Sequence, residues 1–125
     1  VASDRDVSDG FGQAVSISGN YALVGAQNED DDETGANNLN RSGSAYLYEY
    51  DSATSIWGQI KKLVASDRAA DDRFGSAVSI CGNNAVVGAS FEDEDASQMN
   101  TLSAAGTNYC WSQYQGRNWR GICFC

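Results

Sequence analysis

Two acidic loops space their carboxylates as a calcium site would. Asp30 and Asp32 lie two residues apart in NEDDDE, and Asp93 and Asp95 repeat that spacing in EDED. Alternate residues of a loop can direct their oxygens at one hard cation, and calcium takes about 6–8 oxygen ligands, some from backbone carbonyls. Neither acidic run contains the glycine that permits a sharp bend, so a solvated acidic loop is the alternative. The spacing therefore predicts calcium as a cofactor at these four aspartates, with the solvated loop as the alternative.

Four cysteines, all in the second half of the chain, predict disulfide bonds. An even number of cysteines in a small acidic chain favours disulfides and an oxidising, extracellular compartment. Folding TNYCWSQYQGRNWRGICFC as a hairpin about Gly116–Arg117 places Cys110 opposite Cys123, and this pair is the first choice for a bridge. Cys81 and Cys125 then pair with each other or across a subunit contact. Four buried free thiols are the alternative.

Two further motifs suggest contact with carbohydrate. Asn40 opens the triplet Asn-Arg-Ser, which matches an N-glycosylation acceptor, with an unused triplet as the alternative. Several aromatic residues would make a platform for stacking on sugars, although packing within and between sheets is the expected role: Tyr46, Tyr48, Tyr50, Trp57, Trp111 and Trp119.

Composition narrows the classes of function. The chain has no histidine, which removes Ser-His-Asp and Cys-His catalysis and imidazole metal sites. Its net charge of −9 is opposite to the basic surface that binds nucleic acids and anionic membranes. No apolar run reaches the ~18 residues of a membrane span. A hydrolase with a carboxylate pair stays open on residue types alone. We nevertheless expect no enzyme, because the acidic residues occur in both halves, as structural residues would.

An internal repeat organises all of these residues. FGQAVSISGNYALVGA (Phe11–Ala26) returns as FGSAVSICGNNAVVGA (Phe74–Ala89), and VASDR at Val1–Arg5 returns at Val64–Arg68. The offset is 63 residues throughout (74 − 11), and the alignment needs no gap. We therefore divide the chain into a first repeat, residues 1–63, and a second repeat, residues 64–125.

Each repeat is predicted to form four antiparallel strands and no helix. In the first repeat, the turn SDGFG precedes an alternating strand at Gln13–Ser18, and the two-residue turn Gly19–Asn20 leads to a return strand at Tyr21–Ala26. After a polar loop, a third strand covers Ser44–Asp51, and a fourth begins at Ile56. Apolar or very small residues stand on both faces of the first hairpin, which predicts a sheet that is covered on both sides.

The hairpin motif resembles a known family. A Phe-Gly pair opens the first strand and a Gly-Ala pair closes its partner, at Phe11–Gly12 with Gly25–Ala26 and at Phe74–Gly75 with Gly88–Ala89. This pattern is similar to the FG-GAP repeat, the blade motif of integrin-α-type β-propellers and of many secreted microbial and algal proteins. The resemblance implies an all-β fold of two tandem four-stranded antiparallel blades. It also implies an extracellular protein with adhesive, ligand-displaying or structural roles rather than catalytic ones.

The chain departs from the family pattern at two places. Gln27 and Ser90 stand where the family has proline. The tight turn at Gly19–Asn20 replaces the D-x-D-x-D-G calcium loop that many members carry between the first two strands.

Two blades leave sheet faces and edges open, because propellers close with ~4–8 blades. Three arrangements would cover them: a longer parent chain with further blades, a ring of several subunits, or a filament of copies joined head to tail. We therefore expect the partner to be the chain itself or further blades of the same parent chain. A structural, self-assembling extracellular protein is the main hypothesis. An adhesive or carbohydrate-binding module of a longer propeller, with a glycan or cell-surface ligand, is the alternative.

Overall fold

The computed structural model describes residues 6, 8–66, 68–91, 107–112 and 118–120, the last two ranges as backbone strands only. This part of the chain is all β. Its strands are β1 (Phe11–Ser18), β2 (Tyr21–Ala26), β3 (Ser44–Asp51), β4 (Ile56–Leu63), β5 (Phe74–Cys81), β6 (Asn84–Ala89), β7 (Thr107–Ser112) and β8 (Asn118–Arg120). Within it, no helix has the length and apolarity needed to cross a membrane.

The strands form two antiparallel sheets in chain order. The first sheet has the order β1-β2-β3-β4 and the second has the order β5-β6-β7-β8. The prediction of an all-β fold with antiparallel sheets is confirmed. Both first hairpins turn at a glycine of positive φ, Gly19 at 55° and Gly82 at 54°, a conformation that glycine adopts without steric cost.

The predicted turn SDGFG ends earlier than expected. Phe11 already pairs with Ala26 in the first sheet, so β1 begins at Phe11 rather than at Gln13. The register shifts between Phe11 and Ala14, because Gly12 and Gln13 form an irregularity in the strand. The second sheet repeats this shift between Phe74 and Ala77. The turn residues therefore belong to a bulged strand start, which sequence periodicity alone reads as a turn.

The hydrophobic core lies between the two sheets. Leu23 of the first sheet and Phe74 and Val87 of the second sheet are completely buried in one cluster. The same cluster contains Ala45, Leu47, Leu63, Ala65, Ile80 and Ala89. A four-stranded sheet cannot bury a face against itself, so the two sheets stabilise each other by packing face to face.

Candidate functional site

The contact between the two sheets, here called the joint, includes two backbone segments that are hydrogen-bonded to each other, here called the strap. The segment Asn40–Gly43 of the first repeat runs beside Asp71–Phe74 of the second. The amides of Asp71, Arg73 and Phe74 donate to carbonyl oxygens of the first repeat at 2.8, 3.0 and 2.9 Å. Gly43 and Phe74 form an isolated parallel bridge. The strap fixes the start of β5 against the end of the first sheet's long loop.

Three glycines allow the backbones to meet at the joint. A Cβ atom on Gly25 would lie 2.0 Å from the carbonyl oxygen of Gly75, and one on Gly75 would lie 2.1 Å from the carbonyl oxygen of Ser44. A Cβ atom on Gly43 would lie 2.1 Å from the carbonyl oxygen of Phe74. No side chain fits at such distances, so these positions require glycine. Gly25 and Gly75 belong to the motif that the sequence singled out.

Two serine hydroxyls set the register between β1 and β5. The amide of Ile80 donates to Ser16 Oγ at 3.1 Å, and the amide of Gly82 donates to Ser18 Oγ at 3.0 Å. Ile80 belongs to β5, and Gly82 opens the turn that follows it. The small side chains of β1 that face the second sheet are therefore acceptors as well as spacers.

On the opposite face of the first sheet, the side chains of β1 are uncovered in the described part of the chain. Val15 and Ile17 are 66% and 65% exposed. Their counterparts in the second repeat, Val78 and Ile80, pack into the joint, and Ile80 is only 8% exposed. Equivalent residues thus differ in burial because the first repeat covers the second, while nothing described covers the first.

Gly12 and Gly75 also occupy equivalent positions, but only Gly75 is covered by a neighbouring sheet. They have nearly identical φ angles of 88° and 89°, so their backbones are equivalent. Gly75 meets the backbone of Ser44, whereas a Cβ atom on Gly12 would meet nothing within 4 Å. We call the surface formed by Gly12, Val15, Ile17 and Val24 the open face.

The second sheet also has an exposed side, on the face turned away from the joint. Ala77 and Ser79 are exposed there, and Val86 is half-buried. Leu23, which is the counterpart of Val86, is completely buried in the joint. We call the surface formed by Ala77, Ser79 and Val86 the far face.

A buried charge cluster anchors the acidic loop to the first sheet. Lys62 Nζ lies 3.6 Å from Glu29 Oε1, and both side chains are almost fully buried. The Tyr46 hydroxyl donates to Glu29 Oε2 at 2.8 Å, and the Lys62 ammonium lies 5.5 Å from the centre of the Tyr46 ring. Removing one partner of a buried pair typically costs about 3–5 kcal/mol. Sequence reasoning missed this cluster, although the alignment of Glu29 with Glu92 in the repeat was a signal.

Arg68 clamps the second repeat onto the loop of the first repeat. Its guanidinium donates to the carbonyl oxygens of Asn37 at 2.9 Å and Asp30 at 2.6 Å, and to Ser42 Oγ at 2.8 Å. Sequence reasoning gave Arg68 no role. The repetition of VASDR was the available signal, since it places Arg5 at the same position of the first repeat.

Hydrogen bonds occupy the aspartates of the first acidic loop. Asp32 accepts hydrogen bonds from Thr34, Ala36 and Asn37. These bonds hold the pKa of Asp32 well below its ordinary value, and the bond from the Thr34 side chain has the largest effect. Asp30 Oδ1 accepts the amide of Arg41 at 2.6 Å. The described residues contain no group of three or more acidic or cysteine side chains arranged for a metal ion. Calcium at Asp30 and Asp32 stays a prediction, and Asp93 and Asp95 lie outside the described residues.

Two aspartates precede each Phe-Gly pair, Asp4 and Asp9 in the first repeat and Asp67 and Asp72 in the second, and their position in a turn favours capping by hydrogen bonds. Asp9 accepts the amide of Asp6, and Asp72 Oδ2 accepts the amide of Ala69 at 2.6 Å. Both side chains are buried. Asp4 and Asp67 lie outside the described residues.

The cysteine predictions have a mixed outcome. Cys81 is disulfide-bonded. The predicted hairpin register is wrong, because Cys110 pairs with Trp119 rather than lying opposite Cys123. The reason is that Trp111 pairs with Asn118, so the pairing is centred two residues before Gly116–Arg117. The Cys110–Cys123 bond itself stays a prediction, since Cys123, Cys125 and the side chain of Cys110 lie outside the described residues.

The residues of the sequon and the aromatic residues differ in burial. Asn40 is exposed, while Ser42 is completely buried with its hydroxyl near Arg68 and Glu29. Tyr46 is buried, as packing predicts, and the half-buried Tyr50 contacts the exposed Trp57, with ring centres 5.3 Å apart. The side chains of Trp111 and Trp119 lie outside the described residues.

Comparison with known proteins agrees with this geometry. The FG-GAP repeat model matches residues 1–48 and 57–107, which include both Phe-Gly and Gly-Ala hairpins. A search of curated proteins gave no match. The two matched segments cover most of the chain and follow its internal repeat. The chain therefore belongs to the FG-GAP repeat family.

Proposed function

We propose that this chain is a non-enzymatic extracellular structural module in which two tandem four-stranded blades of β-propeller type stack with further blades. Its membership of the FG-GAP family supports blades of this type. The face-to-face packing of the two sheets supports stacking as the mode of assembly. The stack is either an open filament of copies or a ring closed by several subunits.

One observation carries the proposal: equivalent residues of the two repeats differ in burial. Ile80 is 8% exposed in the joint, whereas Ile17 is 65% exposed on the open face. Leaving two large apolar side chains in water forfeits about 1.5–3 kcal/mol of burial for each. A module that packs with another blade recovers this free energy, and an isolated monomer does not.

The proposed environment of the protein is an oxidising, extracellular one. A disulfide at Cys81 suits an oxidising, extracellular compartment. Glycosylation at Asn40 and calcium at the acidic loop belong to the same setting. The absence of histidine supports a non-enzymatic role, because it removes the commonest acid–base catalyst.

Electron microscopy and light scattering of the purified chain test the proposal. Regular stacks or rings are expected, with masses that are multiples of 13.3 kDa. Uniform monomers at the highest attainable concentration would contradict self-stacking. Intact mass of the native polypeptide, measured in parallel, shows whether further blades belong to the same chain and whether Asn40 carries a glycan.

The alternative is an adhesive or carbohydrate-binding module of a longer propeller. The contact between the half-buried Tyr50 and the exposed Trp57 favours it, because paired aromatic rings suit stacking on sugars. A glycan array with the wild-type chain and Trp57→Ala separates the two functions. Binding that Trp57→Ala abolishes supports the alternative, and no binding on the array counts against it.

A further inference from the structure

Building on the proposed function, we propose that the open face receives the far face of a second copy of this chain, so that copies join head to tail. The joint inside the chain is the template for this contact. It is a contact between two copies of one repeat, and each copy keeps the surface that the other uses. The occupant of the open face is therefore a second copy rather than an unrelated protein.

The two surfaces reproduce the two sides of the joint. On the first sheet, Ala14, Ser16 and Leu23 face the second sheet. The corresponding residues of the second repeat are Ala77, Ser79 and Val86, which form the far face. Small residues and one aliphatic side chain recur in the same places, so the far face keeps the shape that fits over β5.

The residues of the open face also have identical counterparts in the second repeat. Gly12, Val15 and Ile17 correspond to Gly75, Val78 and Ile80, and the glycines share the same positive φ. Gly75 allows the backbone of the preceding sheet to approach closely, and the space beside Gly12 is open for the same approach. The open face therefore presents the same residue types, and the same glycine conformation, as the surface that the joint buries.

One hydrogen bond fixes the register of the proposed contact. Inside the chain, Ser16 Oγ accepts the amide of Ile80 at 3.1 Å. In the contact between copies, Ser79 Oγ of one chain accepts the amide of Ile17 of the next. Cys81 stands where Ser18 accepts the amide of Gly82, so a disulfide sulfur replaces the second hydroxyl. The contact between chains thus has one such hydroxyl acceptor where the internal joint has two.

The contact is heterologous, because it joins two different surfaces. A substitution on either surface therefore blocks every contact in a solution of that variant alone. Mixing two variants that are blocked on different surfaces restores a single contact, between the intact open face of one and the intact far face of the other.

Sedimentation velocity of single and mixed variants tests this proposal. The variants are Ile17→Lys on the open face and Ser79→Lys on the far face. The control is Ile56→Lys, at a residue that is 62% exposed, close to the 65% of Ile17, but lies at the start of the edge strand β4. Because all three side chains are exposed, circular dichroism should show the wild-type fold for each.

The expected result is that the wild type and Ile56→Lys associate, whereas Ile17→Lys and Ser79→Lys each weaken association at least about 100-fold. An equimolar mixture of the last two should form a dimer and nothing larger. If the wild type associates but Ser79→Lys alone still does so with wild-type affinity, the head-to-tail contact is wrong while stacking as such survives. If the wild type stays monomeric, self-stacking fails together with this contact.

Discussion

Replacing Gly25 with alanine should force the two sheets apart. The added Cβ atom would lie 2.0 Å from the carbonyl oxygen of Gly75, and real Cβ atoms essentially never come within 3.0 Å of another heavy atom. The backbones must therefore separate by about 1 Å (3.0 − 2.0). Neither backbone can rotate away as a flexible side chain would, because each belongs to a strand.

The size of the effect follows from the buried cluster beside this contact. Leu23, Phe74 and Val87 are completely buried there. Burying a large apolar side chain contributes about 1.5–3 kcal/mol, and a gap of ~0.5–1 Å loses roughly a quarter to a half of its dispersion contacts. Three such side chains give a loss of about 1–4.5 kcal/mol, which spans the usual cost of overpacking, about 1–3 kcal/mol.

Urea unfolding followed by tryptophan fluorescence measures this loss. Gly58→Ala is the matched control, since Gly58 also lies in a strand of the first sheet and its Cβ atom would meet nothing within 4 Å. The control should keep the wild-type free energy of unfolding or raise it by about 0.5–1 kcal/mol, because alanine restricts the unfolded chain. If Gly25→Ala and Gly58→Ala unfold within about 0.5 kcal/mol of each other, the close approach of the sheets is not as described.

Four further predictions concern charges. Arg68→Ala should lower the free energy of unfolding by about 2–3 kcal/mol, because three hydrogen bonds to the first repeat are lost, and Arg68→Lys should recover only part of it in the same urea assay. Because folding lowers the pKa of Asp32, its ionised side chain stabilises the fold at pH values above its ordinary pKa of 3.8. This contribution is lost progressively as the pH falls below 3.8. The difference in Tm between the wild type and Asp32→Asn should therefore shrink between pH ~6 and pH ~2, and a constant difference would contradict the hydrogen bonds to Asp32. Excess chelator should leave Tm unchanged if the loop is only solvated, whereas a fall in Tm would establish the calcium site. Association of copies that each carry a net charge of −9 should strengthen as salt rises from ~0.01 M to ~1 M, because the Debye length falls from ~30 to ~3 Å, and weaker association at high salt would contradict an apolar contact.

The strands were predictable because their signals are local. Alternation and the turn at Gly19–Asn20 predicted the ends of β2 and β3 at the residues where the structure has them. The start of β1 was missed, because the Asp, Gly and Ser residues that precede and form its bulge are also typical of a turn. The register of β7 against β8 was missed because the prediction took Gly116–Arg117 as the turn, whereas Trp111 pairs with Asn118.

The candidate site was only partly visible in the sequence. The repeated Phe-Gly and Gly-Ala pairs marked Gly25 and Gly75, but their contact needs the tertiary structure, because the two residues belong to different repeats. The ion pair between Glu29 and Lys62 was missed, because one residue lies in a loop and the other in an edge strand, and only the folded structure brings them together. The difference between Ile17 and Ile80 was invisible, because identical residues have identical sequence signals.

Amide hydrogen exchange in β1 decides whether another repeat covers the open face. The peptide Phe11–Ala26 is followed as the protein concentration rises, with the equivalent peptide Phe74–Ala89 of the same molecule as the reference. We predict that the amide of Ile17 becomes as slow to exchange as that of Ile80 once the chains associate. If the chains associate and the Ile17 amide exchanges as fast as in the dilute monomer, another surface makes the contact and the open face has no such role.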